Sequence, residues 1–297
     1  MQAKLISFLF SFGWLVLKYL PEHLGRNLFK LIANWVFSKN GRSVQQLRAN
    51  LKQVTKLSDK YLEDLTYKAV QSYFKYWYEA FVIHTWSKKK INSKFIMLNK
   101  ERLEQYLQTE ERIVLVLPHM GNWDAAALWF TSNYQPLTTV AEKLKPQSLF
   151  EKFVRFRTAL GVEVLALARG GGTYQTLKER VREKVIIALL ADRDLSASGI
   201  KVTYFGKTTS MPAGPATLAW EENAKLIPIS IFNSEEDLIH AEVGEIISID
   251  RALDREEAIA QLTQKVAEVF EKMVSAHPAD WHLMQKVWQE IKPIKMG

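Results

Sequence analysis

His119 and Asp124 are the residues whose types and spacing most readily do chemistry. They lie in the segment Leu117-Pro118-His119-Met120-Gly121-Asn122-Trp123-Asp124. A carboxylate on one ring nitrogen fixes the tautomer of an imidazole and stabilises its protonated form. The other nitrogen is then left to remove a proton from a hydroxyl. If the chain turns at Gly121 and begins a helix near Asn122, Asp124 can return to the imidazole. Gly121 and Asn122, at the new helix start, would then offer backbone donors to substrate or to a developing oxyanion. Among six histidines the bare spacing carries little information, and a loop histidine bonded to a helix N-cap is the plain structural alternative.

Other candidates are weaker. Asp192 and Asp194 follow the apolar run Val185–Ala191, where two carboxylates could hold a divalent cation. Arg193 lies between them, and no histidine or third carboxylate is near. A charge network with Arg157 or Arg193, able to orient sugar hydroxyls or phosphates, fits better, and no metal is expected. Arg169-Gly170-Gly171-Gly172 precedes a helical pattern and could cradle a phosphate or simply turn the chain; the dinucleotide spacing fails at Gln175. His277 and His282 are five apart, which does not suit a pair of metal ligands on one helix face. That segment reads as a packing element with Trp281 and Trp288 as anchors. The chain has no cysteine, which removes thiol catalysis and cysteine-held zinc or iron–sulfur centres. It also lacks a G-x-S-x-G elbow and a phosphate-loop motif, so direct transfer between two substrates is more economical than a covalent enzyme intermediate.

These residues need elements to position them. Ile113–Leu117 is an unbroken apolar run ending at Pro118, as in a buried strand. Helical patterns then fit 123–132, 147–160 (closed by Gly161), 173–183, 213–223 and 255–276. Strands fit 137–141, 162–167, 185–191, 201–205, 226–232 and 239–247. This alternation predicts an α/β fold, a central mixed and mostly parallel sheet flanked by helices. Ahead of it, helices fit 21–37, 43–54 and 59–86, the last with Ser58 as N-cap. In the first of these Leu24, Leu28, Leu31, Ile32 and Trp35 are spaced to form one face for burial, leaving a cationic one. The helix 59–86 is dense in aromatics (Tyr73, Phe74, Tyr76, Trp77, Tyr78, Phe81, Trp86), which suit a core, an interfacial belt or an apolar ligand tunnel. Residues 1–109 are read as a helical membrane-associating and tunnel-forming part, and 110–297 as the α/β core, within one continuous structural domain.

The 297 residues are enough for a sizeable core. The net charge of +8 is uneven: residues 1–60 hold ten Lys and Arg against Glu22 and Asp59, and the remainder is neutral. A generally basic nucleic-acid surface is therefore not expected. The basic segment also contains the apolar run from Leu5 to Leu17. As helix that run rises about 20 Å, short of the ~30 Å hydrocarbon core of a bilayer. No small-x-small cleavage site precedes Pro21, so a signal peptide is not expected either. An amphipathic segment with cationic neighbours suits attachment to an anionic bilayer surface.

The His119–Asp124 motif resembles that of the glycerophosphate/lysophospholipid acyltransferase superfamily, in particular its lipid A branch. More specific are Thr139-Val140-Ala141-Glu142-Lys143-Leu144-Lys145-Pro146, Leu160-Gly161-Val162-Glu163-Val164-Leu165, Asp192-Arg193-Asp194-Leu195, Tyr204-Phe205-Gly206, Met211-Pro212-Ala213-Gly214-Pro215-Ala216 and His277-Pro278-Ala279-Asp280-Trp281-His282. In that order they resemble the phosphatidylinositol mannoside acyltransferases, from about residue 110 to 290. The first hundred residues resemble them mainly in helical, apolar and basic character. The resemblance implies a peripheral enzyme on the cytoplasmic face of the plasma (inner) membrane. It would move a long acyl group, typically palmitoyl, from acyl-CoA to a mannose 6-hydroxyl of an anionic glycophospholipid. No cofactor is implied, acyl-CoA being a co-substrate. On this footing His119 is the general base and Asp124 its orienting partner. Glu142, Arg157 and Asp192 match charged positions of the family's active-site groove; Asp192 is expected to be catalytic with His119 and Asp124, and Glu142, Lys145, Arg157 and Arg193 to contact substrate. The family usually carries Glu where Asp192 stands, so its side chain is one methylene shorter. Lipid A or a lysophospholipid as acceptor remains open, as does a non-catalytic lipid-binding protein using the same tunnel.

Overall fold

The computed structural model describes residues 13–14, 16–109, 111–143, 146–167, 172–194 and 198–294. Along the chain lie α1 (Glu22–Lys39), α2 (Arg42–Thr55), α3 (Asp59–Val82), α4 (Lys88–Lys94), β1 (Phe95–Leu98), α5 (Lys100–Gln108), β2 (Ile113–Leu117), α6 (Trp123–Asn133), β3 (Leu137–Ala141), α7 (Gln147–Ala159), β4 (Val162–Ala166), α8 (Gly172–Arg182), β5 (Ile186–Leu190), β6 (Ile200–Tyr204), β7 (Lys207–Met211), α9 (Gly214–Glu221), β8 (Lys225–Asn233), β9 (Ile239–Val243) and α10 (Arg255–Ala276). Short 3-10 turns occupy Ile83–Thr85 and Pro278–Asp280. Residues 16–19 are also helical. Most of the apolar run 5–17 lies outside the described residues, as do Lys145 and the glycines at 170 and 171.

Seven strands form one sheet in the order β1-β9-β8-β2-β5-β3-β4. Every neighbouring pair is parallel except β8–β9. The exception follows from connection length. β8 and β9 are joined by the short turn Ser234–Leu238 and must pair antiparallel, whereas the parallel pairs have room for a crossover. The fold is thus the mixed, mostly parallel α/β sheet that the alternation implies.

β2 is buried along its whole length and sits between β8 and β5. Its residues alternate between two cores, one on each face of the sheet. Val114 and Val116 join the face packed with Leu47, Leu226, Leu262 and Phe270. Ile113, Leu115 and Leu117 face the side carrying α6, with Ala125, Phe130 and Phe156. A strand covered on both faces can be apolar throughout, which is why its sequence shows no alternation.

Three features depart from sequence expectation. The segment 88–108 forms α4, β1 and α5, and β1 adds to the sheet edge beside β9. The strand near 201–205 does not enter the central sheet. It is β6, paired with β7 through the two-residue turn Phe205-Gly206, both at positive φ (51° and 73°), as tight antiparallel hairpins require. The face of α1 carrying Leu24, Leu28, Leu31 and Trp35 is turned outward, these side chains being 44–65% exposed. The helix packs instead through Gly25, Ala33 and their neighbours. Gly25 lies so close to α3 that a Cβ there would meet the Tyr78 ring at 2.6 Å. Small residues bring the two backbones together, and the leucine stripe is left on the far side. Asp237, in the β8–β9 turn, ties this helical layer down by pairing with Arg26, with Lys75 at 2.7 Å and with Lys94 at 3.5 Å.

Candidate active site

His119 and Asp192 meet because β2 and β5 are neighbours in register. Leu117 pairs with Leu190, and each functional residue lies two positions beyond its member of that pair. The site therefore sits off the carboxyl ends of parallel strands, where an open α/β sheet leaves its crevice. The imidazole Nδ1 is 2.5 Å from Asp192 Oδ1. The other carboxylate oxygen, Oδ2, accepts the His119 backbone N–H at 2.8 Å and the Trp281 indole N–H at 2.9 Å. Asp192 is fully enclosed while the His119 side chain is 24% exposed, so the histidine alone presents an edge to incoming groups. Burial pushes the Asp192 carboxyl up, but His119 and the two N–H donors outweigh it and hold the group below its usual value.

The imidazole's partner is accordingly Asp192, not Asp124, and the shorter Asp at this position does reach it. Asp124, in the first turn of α6, points instead to α7. Its Oδ1 accepts Arg157 Nε at 2.8 Å and its Oδ2 accepts Arg157 Nη2 at 3.3 Å and the Tyr76 hydroxyl at 3.2 Å. A side chain in the first turn of α6 already leans towards the neighbouring helices, so the sequence spacing is misleading. Burial by itself would lower the Arg157 guanidinium, but Asp124 and Tyr76 raise it above its ordinary value and it stays charged. Asp124 and Arg157 form a buried ion pair that fixes α6 against α7.

The expected Gly121 backbone donor is taken by a structural partner, and so is the Asn122 side chain. The Gly121 amide donates to the Asp280 carbonyl at 2.9 Å. Its φ is +59°, and a Cβ would lie 2.4 Å from the Ile231 carbonyl oxygen, so only glycine fits. Asn122 is buried and caps α6 by accepting the Ala125 amide at 2.9 Å. Its side-chain amide donates to Glu79 Oε2 at 2.7 Å. Burial raises the Glu79 carboxyl above its usual value despite Lys75 and Asn122.

The segment after α10 clamps the site from below. Asp280 accepts from Gly121, the Trp281 indole holds Asp192, and the His282 amide donates to the His119 carbonyl at 2.8 Å. Trp281 and Trp288 are completely buried. Trp281 therefore does more than anchor the chain, which packing preference could not reveal. His282 is buried among Tyr73, Tyr76 and Trp123, and its Nε2 lies 3.0 Å from the Ser72 hydroxyl. Burial lowers this imidazole to about 4.

Two spaces are lined by members of the dyad, and a third, apolar one adjoins the first of them. His119 lines a cleft of about 250 Å³ with Tyr76, Trp77, Trp123, Glu142, Arg157 and Arg193. Beside that cleft, between α6 and the sheet, lies a narrow apolar tunnel. The two share Trp123, Val140, Arg157 and Leu190. Ala126 and Ala127 of α6 and Ala188 and Ala241 of the sheet leave the gap, and Leu103 and Phe130 help to wall it. On the other side a polar cleft of about 700 Å³ is bounded by Asp192, Arg193, Lys201, Ser210 and Lys286. Glu142, Arg157 and Arg193 thus line the same cleft as His119. Lys145 lies outside the described residues. Among the described residues no group of three or more His, Asp or Glu forms a metal-binding cluster.

A His–Asp pair at the strand ends of an α/β sheet, its histidine edge accessible and an apolar tunnel and a polar cleft nearby, suits acyl transfer to a hydroxyl. The chain belongs to the bacterial lipid A biosynthesis acyltransferase family, whose profile matches residues 1–290. Among curated proteins it is similar to the phosphatidylinositol mannoside acyltransferase of Mycolicibacterium smegmatis, 36% identical over 282 residues that cover 94% of this chain and 90% of that one. The protein of the same name from Mycobacterium tuberculosis is 36% identical over 284 residues, covering 94% of this chain and 87% of the relative.

Proposed function

We propose that this acyltransferase moves a long-chain fatty acyl group, palmitoyl in the simplest case, from acyl-CoA to the 6-hydroxyl of a mannose in a phosphatidylinositol mannoside. The observation that carries the reading is the His119–Asp192 pair, with His119 in a cleft that shares its lining with the apolar tunnel; the acceptor follows the names of the relatives. Nδ1 is engaged by Asp192, so Nε2 takes the proton of the acceptor hydroxyl. The oxygen forms a bond to the thioester carbonyl carbon, with Arg193, a cation of the same cleft lining, to offset the developing negative charge. The carbon–sulfur bond then breaks, and the departing thiolate takes up the proton held on Nε2. The tunnel keeps the acyl chain out of water, and the polar cleft beyond Asp192 accommodates a head group.

The reaction takes place at a membrane surface in this reading. Among the described residues no helix is long and apolar enough to cross a bilayer. Support for peripheral attachment comes from the exposed stripe of α1 and the basic excess of the first sixty residues, which suit the anionic cytoplasmic leaflet.

The decisive test combines purified protein, labelled palmitoyl-CoA and total membrane lipids, with mass spectrometry of the labelled product. A mannoside product supports the reading. A labelled lipid A or lysophospholipid moves the acceptor to another branch of the family, and lipid binding without any product points to a carrier. His119→Ala with an unchanged melting temperature should abolish transfer; a rate near that of the wild type would remove His119 as the base.

A further inference from the structure

We infer that the indole N–H of Trp281 is a positioning device for the dyad, setting how readily the His119–Asp192 pair takes up a proton. The inference rests on the acyl-transfer reading of the site. Three observations point to it. Trp281 is completely buried, so its N–H must find an acceptor or forfeit a hydrogen bond. The acceptor it finds, at 2.9 Å, is Oδ2 of the carboxylate whose other oxygen holds the imidazole. Finally, Met120 and Trp281 form an isolated antiparallel bridge, which ties the indole-bearing backbone to the His119 loop and gives the donor little freedom to drift.

The chemical consequence follows from how a buried carboxylate is stabilised. The Asp192 side chain is enclosed, so the donors on Oδ2 disperse its charge. They also stop the carboxylate from rotating away from Nδ1. Removing the indole donor concentrates charge on the carboxylate. It then holds the imidazolium more tightly, and the pair protonates at higher pH. The other charged or titratable groups around the pair do not replace that donor. Tyr204 and His282 are buried beside it, and Arg193 and Glu142 line the cleft on the His119 side. Arg157 is committed to Asp124. Asp194 accepts the Gly199 amide at 3.0 Å.

Two variants separate this from simple packing. Trp281→Phe removes the donor and part of the ring; a benzothienylalanine at 281 keeps the bicyclic shape and removes only the N–H. For both, the pH dependence of kcat/KM and the substrate-free titration of the dyad imidazole by 15N NMR are measured against wild type. The expected result is an acid limb and an NMR midpoint displaced upward by roughly one pH unit, with kcat near neutrality down about tenfold and KM little changed. The isostere should reproduce the displacement with an unaltered melting temperature. An isostere with unmoved midpoints overturns the inference, as does a rate loss that appears only in the Phe variant and follows its melting temperature. Because the NMR midpoint needs no turnover, a displaced midpoint in a protein that transfers no acyl group would sink the functional reading and leave the Trp281 coupling standing.

Discussion

At the scale of single residues, the site divides two carboxylates by task. Asp192 serves the imidazole, and Asp124 serves a guanidinium, although both are buried aspartates within reach of the same helix-start loop. The two substitutions should therefore fail differently. Asp192→Asn leaves the shape intact but spoils the tautomer and charge that the imidazole needs. It should cost about 10²–10⁴ in kcat with KM and melting temperature nearly unchanged. Asp124→Asn leaves the buried Arg157 without its counter-charge, so its main effect should be on stability, a loss of about 3 kcal/mol in denaturant unfolding. Equal kinetic losses with no difference in stability would contradict this division. His282 supplies a pH signature. Burial holds it at about 4, below the ordinary imidazole value of 6.5, so below about pH 6.5 the unfolded chain binds a proton that the folded one refuses. Stability present at neutral pH should fall as pH drops from about 6.5 towards 4. His282→Gln, which can still donate to Ser72, should flatten that part of the melting-temperature profile; an unchanged slope would show that other groups cause it.

At the scale of elements, α6 has two jobs that its sequence serves with different residues. Asn122 caps it beside the dyad loop, and the short side chains of Ala126 and Ala127 leave the tunnel between it and the sheet unfilled. A larger side chain on that face should shorten the space for an acyl chain without touching the dyad. Ala127→Phe is expected to lower transfer from palmitoyl-CoA at least tenfold while transfer from a medium-chain acyl-CoA is retained. A uniform loss over the chain-length series would place the acyl chain elsewhere. Much of this level was legible from sequence. The helix 255–276 and the strand 137–141 lie where hydrophobic period and turn residues put them. Segment 88–108 was not legible, since β1 is four residues long and gains its strand character only by pairing with β9. The outward face of α1 was misjudged for a similar reason. An apolar stripe announces that something covers it, but Gly25 and Ala33 decide which side meets α3.

For the whole molecule, the basic N-terminal sixty residues and the exposed stripe of α1 place charge and apolar surface on the same layer, apart from a core that is electrically neutral. Such a layer combines apolar insertion with attraction to anionic lipid. Leu31→Glu together with Trp35→Glu should reduce binding to vesicles containing anionic phospholipid at least tenfold in a flotation assay. Raised salt should weaken the wild type as well. Binding that resists both changes would locate the contact surface elsewhere.

The sequence by itself determined the strand that delivers His119, the helix that follows it, the layered α/β architecture and the charge asymmetry. Each of these depends on neighbours in the chain: periodicity, turn residues and local composition. Only the tertiary structure decided which carboxylate meets the imidazole. His119 and Asp192 are 73 residues apart and are joined by the parallel register of β2 and β5, with the Trp281 donor arriving from beyond α10. Local spacing offered Asp124, five positions away, but a helix start turns that side chain towards α7. Sheet pairing brings distant strand ends together at fixed offsets, and no property of the intervening residues encodes that meeting.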